Sequence, residues 1–375
     1  MHDQTIKILI AAHSLSAGGT ERVVTNLANA WAADRRAVTV VTNAPLEQDH
    51  YPLHQNVHRI ALGFEQPSKT AFSGALNNLR RIFAMRRVLH NECPDIAIAM
   101  MAAPTCIVRL AAIGTKVAVI GSERIHPPAL PLGAIWERMR RWLYPGLSAL
   151  IAQTERSASW LRKETGAANV IVIPNPIIHP LPGGKSGRLP PALDKPAILA
   201  VGRLDSQKGF DLLIEGFGKI AGLQPEWHLY IVGEGPARKF LEQKIAALAL
   251  TERVHLTGTV DNPEDWYQAA EIFAMSSRFE GFPNVLLEAM AYGLAVVSFD
   301  CETGPAEVIE NGFDGLLLPA EDTQALADAL AKLITDKPLR TELGARATLK
   351  AQQYSMPKIA ARWDDVFDEL LKPST

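Results

Sequence analysis

The sequence has no apolar run long enough to cross a bilayer. Its longest, Ile6–Ala12 and Asp95–Ala103, fall far short of the roughly 20 residues that a spanning helix needs. Cysteine is scarce: Cys93, Cys106 and Cys301 are widely spaced, which fits neither a disulfide framework nor a zinc site, and all three are expected to be buried thiols. The first residues hold an acid at Asp3 and lack a small-residue cleavage site, so they do not read as a signal peptide. A cytoplasmic protein is expected. Overall charge is nearly absent as well, at −2 over 375 residues, yet it is unevenly spread. Residues 1–142 carry 16 Lys and Arg against 10 Asp and Glu, and the remainder 22 against 30. The basic excess sits in Arg80, Arg81, Arg86 and Arg87 and in Arg138, Arg140 and Arg141, each group among apolar residues on a predicted helix. That pattern points to an anionic surface such as a membrane rather than to nucleic acid.

Apolar runs and helical patterns alternate along both halves. The first half reads as strands Ile6–His13, Ala37–Asn43, Val57–Leu62, Asp95–Met100, Lys116–Ser122, Ala149–Gln153 and Val170–Ile173 with helices between them. Pro174–Pro196 holds seven prolines and a glycine pair without periodicity, and reads as a linker centred on 181–196. The rhythm then restarts at Ala197. An α/β protein with two doubly wound, Rossmann-like domains follows, at 1–180 and 197–357, each with a parallel sheet. Helix 358–371 has no strand to follow and is a candidate to pack back onto the first domain. Ligands of such sheets lie outside the carboxyl ends of the strands, so the chemistry is expected in a cleft where the two domains face one another.

The most informative stretch is Ser277-Arg-Phe-Glu-Gly-Phe-Pro-Asn-Val-Leu-Leu-Glu-Ala-Met-Ala-Tyr-Gly293. Pro283 is suited to a first helical position, which makes Glu280–Phe282 an entering loop and Asn284–Tyr292 a helix. Backbone N–H groups around Phe282, Asn284 and Val285 would then serve a phosphate or sugar hydroxyls. Glu280 in the loop and Glu288 one turn into the helix can accept hydrogen bonds from a polyol. In the plain alternative Glu280 caps the helix and Glu288 is solvated. That leaves unexplained a carboxylate between Val-Leu-Leu and Ala-Met-Ala, where it is costly without a partner.

Two glutamates with seven residues between them, followed by Ala-Met-Ala-x-Gly, resemble the signature of the family-four retaining glycosyltransferases of GT-B fold. The likeness extends through Val201-Gly-Arg-Leu204, Lys208-Gly209, Ile231-Val-Gly-Glu-Gly235, Gly304-Pro-Ala-Glu307 and Asn311-Gly-Phe-Asp-Gly315. It implies that Glu280 approaches the donor sugar as the catalytic carboxylate, that Glu288 binds ribose hydroxyls, and that Arg203 and Lys208 hold the diphosphate. Two cations there stabilise the departing nucleotide without a metal, so neither metal nor cofactor is expected.

At the first strand–helix turn, Ser14-Leu-Ser-Ala-Gly-Gly-Thr-Glu-Arg22 opens a helix with a glycine pair. This is not a three-glycine dinucleotide fingerprint, but with the resemblance Gly19 becomes a contact to the distal phosphate, and Glu21 faces donor or acceptor. After the strand ending at Ser122, Arg124 and His126 are expected to project at the cleft's rim, His126 in a catalytic or sugar-binding role, with His13 competing for it.

The implied activity is transfer of a hexose or N-acetylhexosamine from a UDP-sugar to a lipid-linked or polysaccharide acceptor in cell-surface glycan synthesis, with retention of configuration. The rivals are a sugar-nucleotide epimerase of the same fold and a non-catalytic nucleotide-sugar-binding protein. Peripheral attachment to the inner face of the membrane is also expected. Along Ala71–Asn91, residues Phe72, Leu76, Leu79, Phe83 and Val88 share much of one helical face, and Arg80, Arg81, Arg86 and Arg87 flank it. The alternative is that the apolar stripe faces the core and the arginines are solvated or hold acceptor phosphates.

Overall fold

The computed structural model describes residues 6–64, 71–181, 196–260 and 262–372, and the chain divides into two compact units. Unit 1 comprises Met1–Pro176 and Met356–Thr375; unit 2 is Ile177–Ser355. The first unit thus ends before residue 180, and the expected linker lies, but for its ends, outside the described residues.

Unit 1 runs β1 (Lys7–Ala12), α1 (Gly19–Ala33), β2 (Ala37–Thr42), β3 (Val57–Ala61), α2 (Ala71–Glu92), β4 (Ile96–Met100), α3 (Ala102–Ala111), β5 (Ala118–Ser122), α4 (Ala134–Leu143), β6 (Ala149–Ala152), α5 (Glu155–Thr165) and β7 (Val170–Val172). Its sheet is wholly parallel in the order β3-β2-β1-β4-β5-β6-β7, with Ile10 between Val40 and Ile98. Residues Ile96–Met100 are buried throughout, as expected of a strand covered on both faces. On one face α1 supplies Val24, Leu27 and Trp31; on the other α2 and α3 supply Met85, Leu89 and Val108, with α4 and α5 beyond them.

Unit 2 runs β8 (Ala197–Val201), α6 (Phe210–Ala221), β9 (His228–Val232), α7 (Arg238–Ala247), β10 (Val254–Gly258), α8 (Pro263–Ala269), β11 (Ile272–Met275), α9 (Asn284–Ala291), β12 (Ala295–Asp300), α10 (Pro305–Val308), β13 (Leu316–Pro319), α11 (Thr323–Thr335) and α12 (Lys337–Ala351). Its parallel order is β10-β9-β8-β11-β12-β13. The last helix, α13 (Met356–Leu371), belongs to unit 1. It is held there by Trp363 and Phe367 against Trp31, at 5.8 and 5.3 Å between ring centroids, and by a 2.6 Å ion pair from Arg36 to Asp364.

Both sheets reverse direction once. Strand order grows one way from β1 and the other way from β4, and likewise from β8 and β11. Loops leaving adjacent strands at such a point diverge to opposite faces and open a crevice at the carboxyl edge, which is where doubly wound sheets bind ligands.

Candidate functional site

In unit 2 the loops leaving β8, β11 and β12 meet at the switch point. After β8, Asp205 caps a short turn by accepting from the Lys208 backbone N–H at 3.2 Å, and Gly209 follows at φ 60°. A side chain at Gly209 would collide with the Ser276 carbonyl, so the Lys208 loop can close on β11 only with glycine there. Three further contacts lock the two loops together. Gln207 Nε2 donates to the Phe279 carbonyl at 3.0 Å and Ser276 Oγ to the Lys208 carbonyl at 3.0 Å. Arg278 makes a fork to Asp211 at 2.9 and 2.8 Å. Burial alone would raise the Asp211 carboxyl, but the Arg278 guanidinium outweighs it and holds the group below the usual aspartate range.

This frame fixes Glu280, which is buried. Its Oε1 accepts from Lys208 Nζ at 2.7 Å and from Ser277 Oγ at 2.6 Å, and the Thr303 hydroxyl on the β12 loop holds its carbonyl. Two donors saturate one carboxylate oxygen, and Oε2 remains for a ligand hydroxyl. Gly304, at φ 105°, lets the β12 loop approach: a Cβ there would lie 3.1 Å from Pro283 and 3.2 Å from Glu280. Glu288 is buried one turn into α9, where Tyr267 on α8 donates to it at 3.0 Å. That tyrosine supplies the partner the apolar sequence around Glu288 demands. Arg203 is mostly exposed and bends back to Asp205 at 2.6 Å. Lys208 and Arg203 therefore each rest on a carboxylate, from which an incoming diphosphate would draw them.

Several expectations are corrected. Pro283 stands at the cap, one position before the helix, and α9 ends at Ala291. The Phe282 ring is buried against Tyr354, 5.9 Å away, so only its backbone can meet a ligand. The Asn284 N–H, at the head of the helix, already bonds the Phe282 carbonyl at 3.0 Å, and Val285 follows as the second helical residue.

In unit 1, Gly18 caps α1 in an extended conformation and Gly19 is its first residue. The Glu21 carboxylate folds back over Gly18, so that a side chain at that position would strike it. In this state Glu21 shields its own helix start rather than reaching outward. His13 is exposed at the end of β1. His126 does not project at a rim: it is buried, with Nδ1 3.1 Å from Ser157 Oγ. Arg124 is buried too, donating to Ser122 Oγ at 3.3 Å and to Asn175 Oδ1. Desolvation brings its guanidinium down to about 10, and among the described residues no carboxylate is paired with it. Of the three cysteines, Cys106 and Cys301 are buried, with thiols pushed up to about 12 by burial, but Cys93 is exposed.

Sequence reasoning missed Ser277, Thr303, Asp205, Tyr267 and the Arg278–Asp211 fork. Ser277 and Arg278 lie inside the segment already singled out. Tyr267 and Thr303 are 21 and 23 residues from the groups they serve and carry no local signal.

Two doubly wound parallel units, the second bearing a buried carboxylate, a lysine and an arginine at its switch point, have the GT-B architecture. Residues 17–179 match the family described as Glycosyltransferase Family 4, and residues 185–350 the family Glycosyl transferases group 1. The chain belongs to these glycosyltransferases. It is similar to the exopolysaccharide phosphotransferase of Streptomyces coelicolor, 34% identical over 256 residues, which are 68% of this chain but only 26% of that protein. The amylovoran biosynthesis glycosyltransferase of Erwinia amylovora is 27% identical over 369 residues, 96% of this chain and 99% of its own. A Campylobacter jejuni N-acetyl-D-galactosaminyltransferase, whose name specifies a diphospho-undecaprenol-linked glycan, is 25% identical over 360 residues, 96% of this chain and 97% of its own. Among solved structures, sucrose-phosphate synthase from Thermosynechococcus elongatus superposes with a TM-score of 0.83 at 20% identity, covering 98% of this chain and 100% of that one. HepE of Anabaena in complex with UDP gives 0.78 at 21%, covering 97% and 100%.

Proposed function

We propose that the protein is a retaining glycosyltransferase that moves a hexose or N-acetylhexosamine from a UDP-sugar to a lipid-linked or polysaccharide acceptor in cell-surface glycan synthesis. It needs no metal and works peripherally at the inner face of the membrane. The observation that carries this reading is the Lys208–Glu280–Ser277 cluster beside Arg203 at the β8/β11 switch point. As the glycosidic bond breaks, the diphosphate gains charge, and Lys208 and Arg203 leave their resting carboxylates to stabilise it. Glu280, one oxygen still held by the Ser277 hydroxyl, orients a donor hydroxyl with the other and does not attack. The acceptor oxygen then bonds the anomeric carbon on the face the phosphate leaves, the leaving phosphate takes the acceptor proton, and the configuration is kept.

Glu288, steadied by Tyr267, accepts from the ribose hydroxyls. The choice of UDP is supported by HepE, a protein of the same fold that is seen with UDP. The acceptor class is supported by the names of the Erwinia and Campylobacter relatives. The test is to incubate the full chain with UDP-glucose, UDP-galactose and their N-acetylated counterparts in the presence of a bacterial membrane extract, and to read the product's anomeric configuration by NMR. Transfer with the donor's α configuration is expected. A β product overturns retention, and conversion of a UDP-sugar to its epimer without acceptor overturns transfer in favour of epimerisation.

A further inference from the structure

Helix α2 was expected to carry the membrane contact, but only part of its face is available. Val88 is buried. Arg81 donates to the Phe64 carbonyl, and Arg86 to the carbonyls of Ala111 and Ile113 at 2.9 and 2.8 Å. Two of its four arginines are therefore engaged by backbone carbonyls, Arg81 half-buried and Arg86 at the surface. Leu76, Leu79 and Phe83 stay exposed beside Arg80 and Arg87.

Helix α4 presents a cleaner surface. Its inner side is bolted down: Arg140 lies 3.2 Å from the buried Glu123 and 2.7 Å from Glu137, and Tyr144 donates to Glu123 at 2.5 Å. Burial pushes the Glu123 carboxyl up, against the pull of Arg140 and Tyr144. Its outer side carries Ile135, Arg138, Met139 and Trp142, at spacings of three, four and seven, which is one stripe of a helix. Ile135 is 75% exposed and Trp142 70% exposed, with Arg141 beside them and half-exposed Leu130 just before the helix. Ala134, Ile135, Arg138, Met139 and Trp142 line an open depression of about 390 Å³. A helix fixed by a buried ion pair shows water an isoleucine and a tryptophan, with the half-buried Met139 between them packed on the core below, and so presents an apolar stripe to solvent.

We propose that the outer stripe of α4 is the element that inserts into an anionic lipid surface, with Ile135 and Trp142 entering the headgroup region and Arg138 and Arg141 meeting lipid phosphates. This deepens, and rests on, the reading that the enzyme works at a membrane. Charge selects the occupant. The stripe lies in the basic part of the chain, residues 1–142, which carries 16 basic against 10 acidic residues. Pairing with a second copy through the same face would set Arg138 and Arg141 against their own counterparts, because an isologous contact repeats each patch on itself. An anionic bilayer meets both the apolar and the cationic side chains, and tryptophan suits the interface where one edge is wet. Helices α2, α3 and α4 lie side by side on one face of the sheet.

The test is vesicle flotation of the full chain on phosphatidylcholine vesicles with and without phosphatidylglycerol, with no sugar substrate present. Binding should require the anionic lipid, weaken with salt, and fall roughly tenfold or more in Ile135→Ser/Trp142→Ser and again in Arg138→Gln/Arg141→Gln. UDP affinity, read on the same variants by calorimetry, should be unchanged, since none of these residues belongs to unit 2. Wild-type-like flotation of the Ile135→Ser/Trp142→Ser variant overturns the proposal, as does a dimer in solution that this variant dissolves. Absence of flotation in the wild type overturns the membrane reading itself.

Discussion

Glu280, buried, and Lys208, half-buried, form an ion pair whose members are expected to separate during catalysis. Removing one member of such a pair leaves an uncompensated charge, which costs about 3–5 kcal/mol when burial is complete. The milder change Glu280→Gln keeps the shape and the hydrogen bonds to Ser277 and Lys208 while deleting the charge. It should lower turnover by roughly a hundredfold or more and leave UDP affinity within a few fold, as read by steady-state kinetics and calorimetry. Near-normal turnover would remove Glu280 from the site. Tyr267→Phe deletes the hydrogen bond to the Glu288 carboxylate, worth about 1.5–3 kcal/mol, and should weaken UDP by roughly tenfold or more through Glu288. Unchanged affinity would leave Tyr267 with packing alone. At this scale the sequence showed Glu280, Glu288, Arg203 and Lys208 because they share short segments with a glycine or a proline. It could not show that Arg124 and His126 turn inward, since their partners, Asn175 and Ser157, lie 51 and 31 residues away.

The element that organises the donor site is the loop between β11 and α9, and the Arg278–Asp211 fork ties it to the start of α6. Because the Asp211 carboxyl is held below its ordinary range, the fork's contribution is full above the unfolded aspartate value of about 3.9 and is lost as pH falls through the lower folded value. Asp211 and Arg278 are both partly exposed, so solvent screening keeps the contribution to about 1–2 kcal/mol at neutral pH. Asp211→Asn should therefore lower the thermal midpoint by roughly 2–6 °C at pH 7. The gap from wild type should close in acid. A gap that persisted undiminished below about pH 3 would show that the carboxylate's charge is not what the fork uses. Helices with one apolar stripe, such as α1 and α11, were legible from their period. Helix α2 misled because its period places arginines on the flank, and only the tertiary fold brings the carbonyls of Phe64, Ala111 and Ile113 to two of them.

At the scale of the whole molecule, the alternation of strands and helices foretold two parallel sheets, because strands buried on both faces read as continuous apolar runs. What periodicity could not give is the return of the last helix: Trp363 and Phe367 need Trp31, more than 300 residues earlier, to reveal their destination. Unit 2 is proposed to hold a nucleoside diphosphate with protein cations in place of a metal. The most direct measurement is calorimetric titration of UDP into the full chain in EDTA, repeated on Arg203→Gln and Lys208→Gln. Each charge-assisted contact is worth about 1.5–3 kcal/mol, so one-to-one binding should persist in EDTA and weaken roughly 10- to 150-fold in each variant. Binding that vanishes in EDTA and returns with magnesium, or that is indifferent to both substitutions, would contradict it.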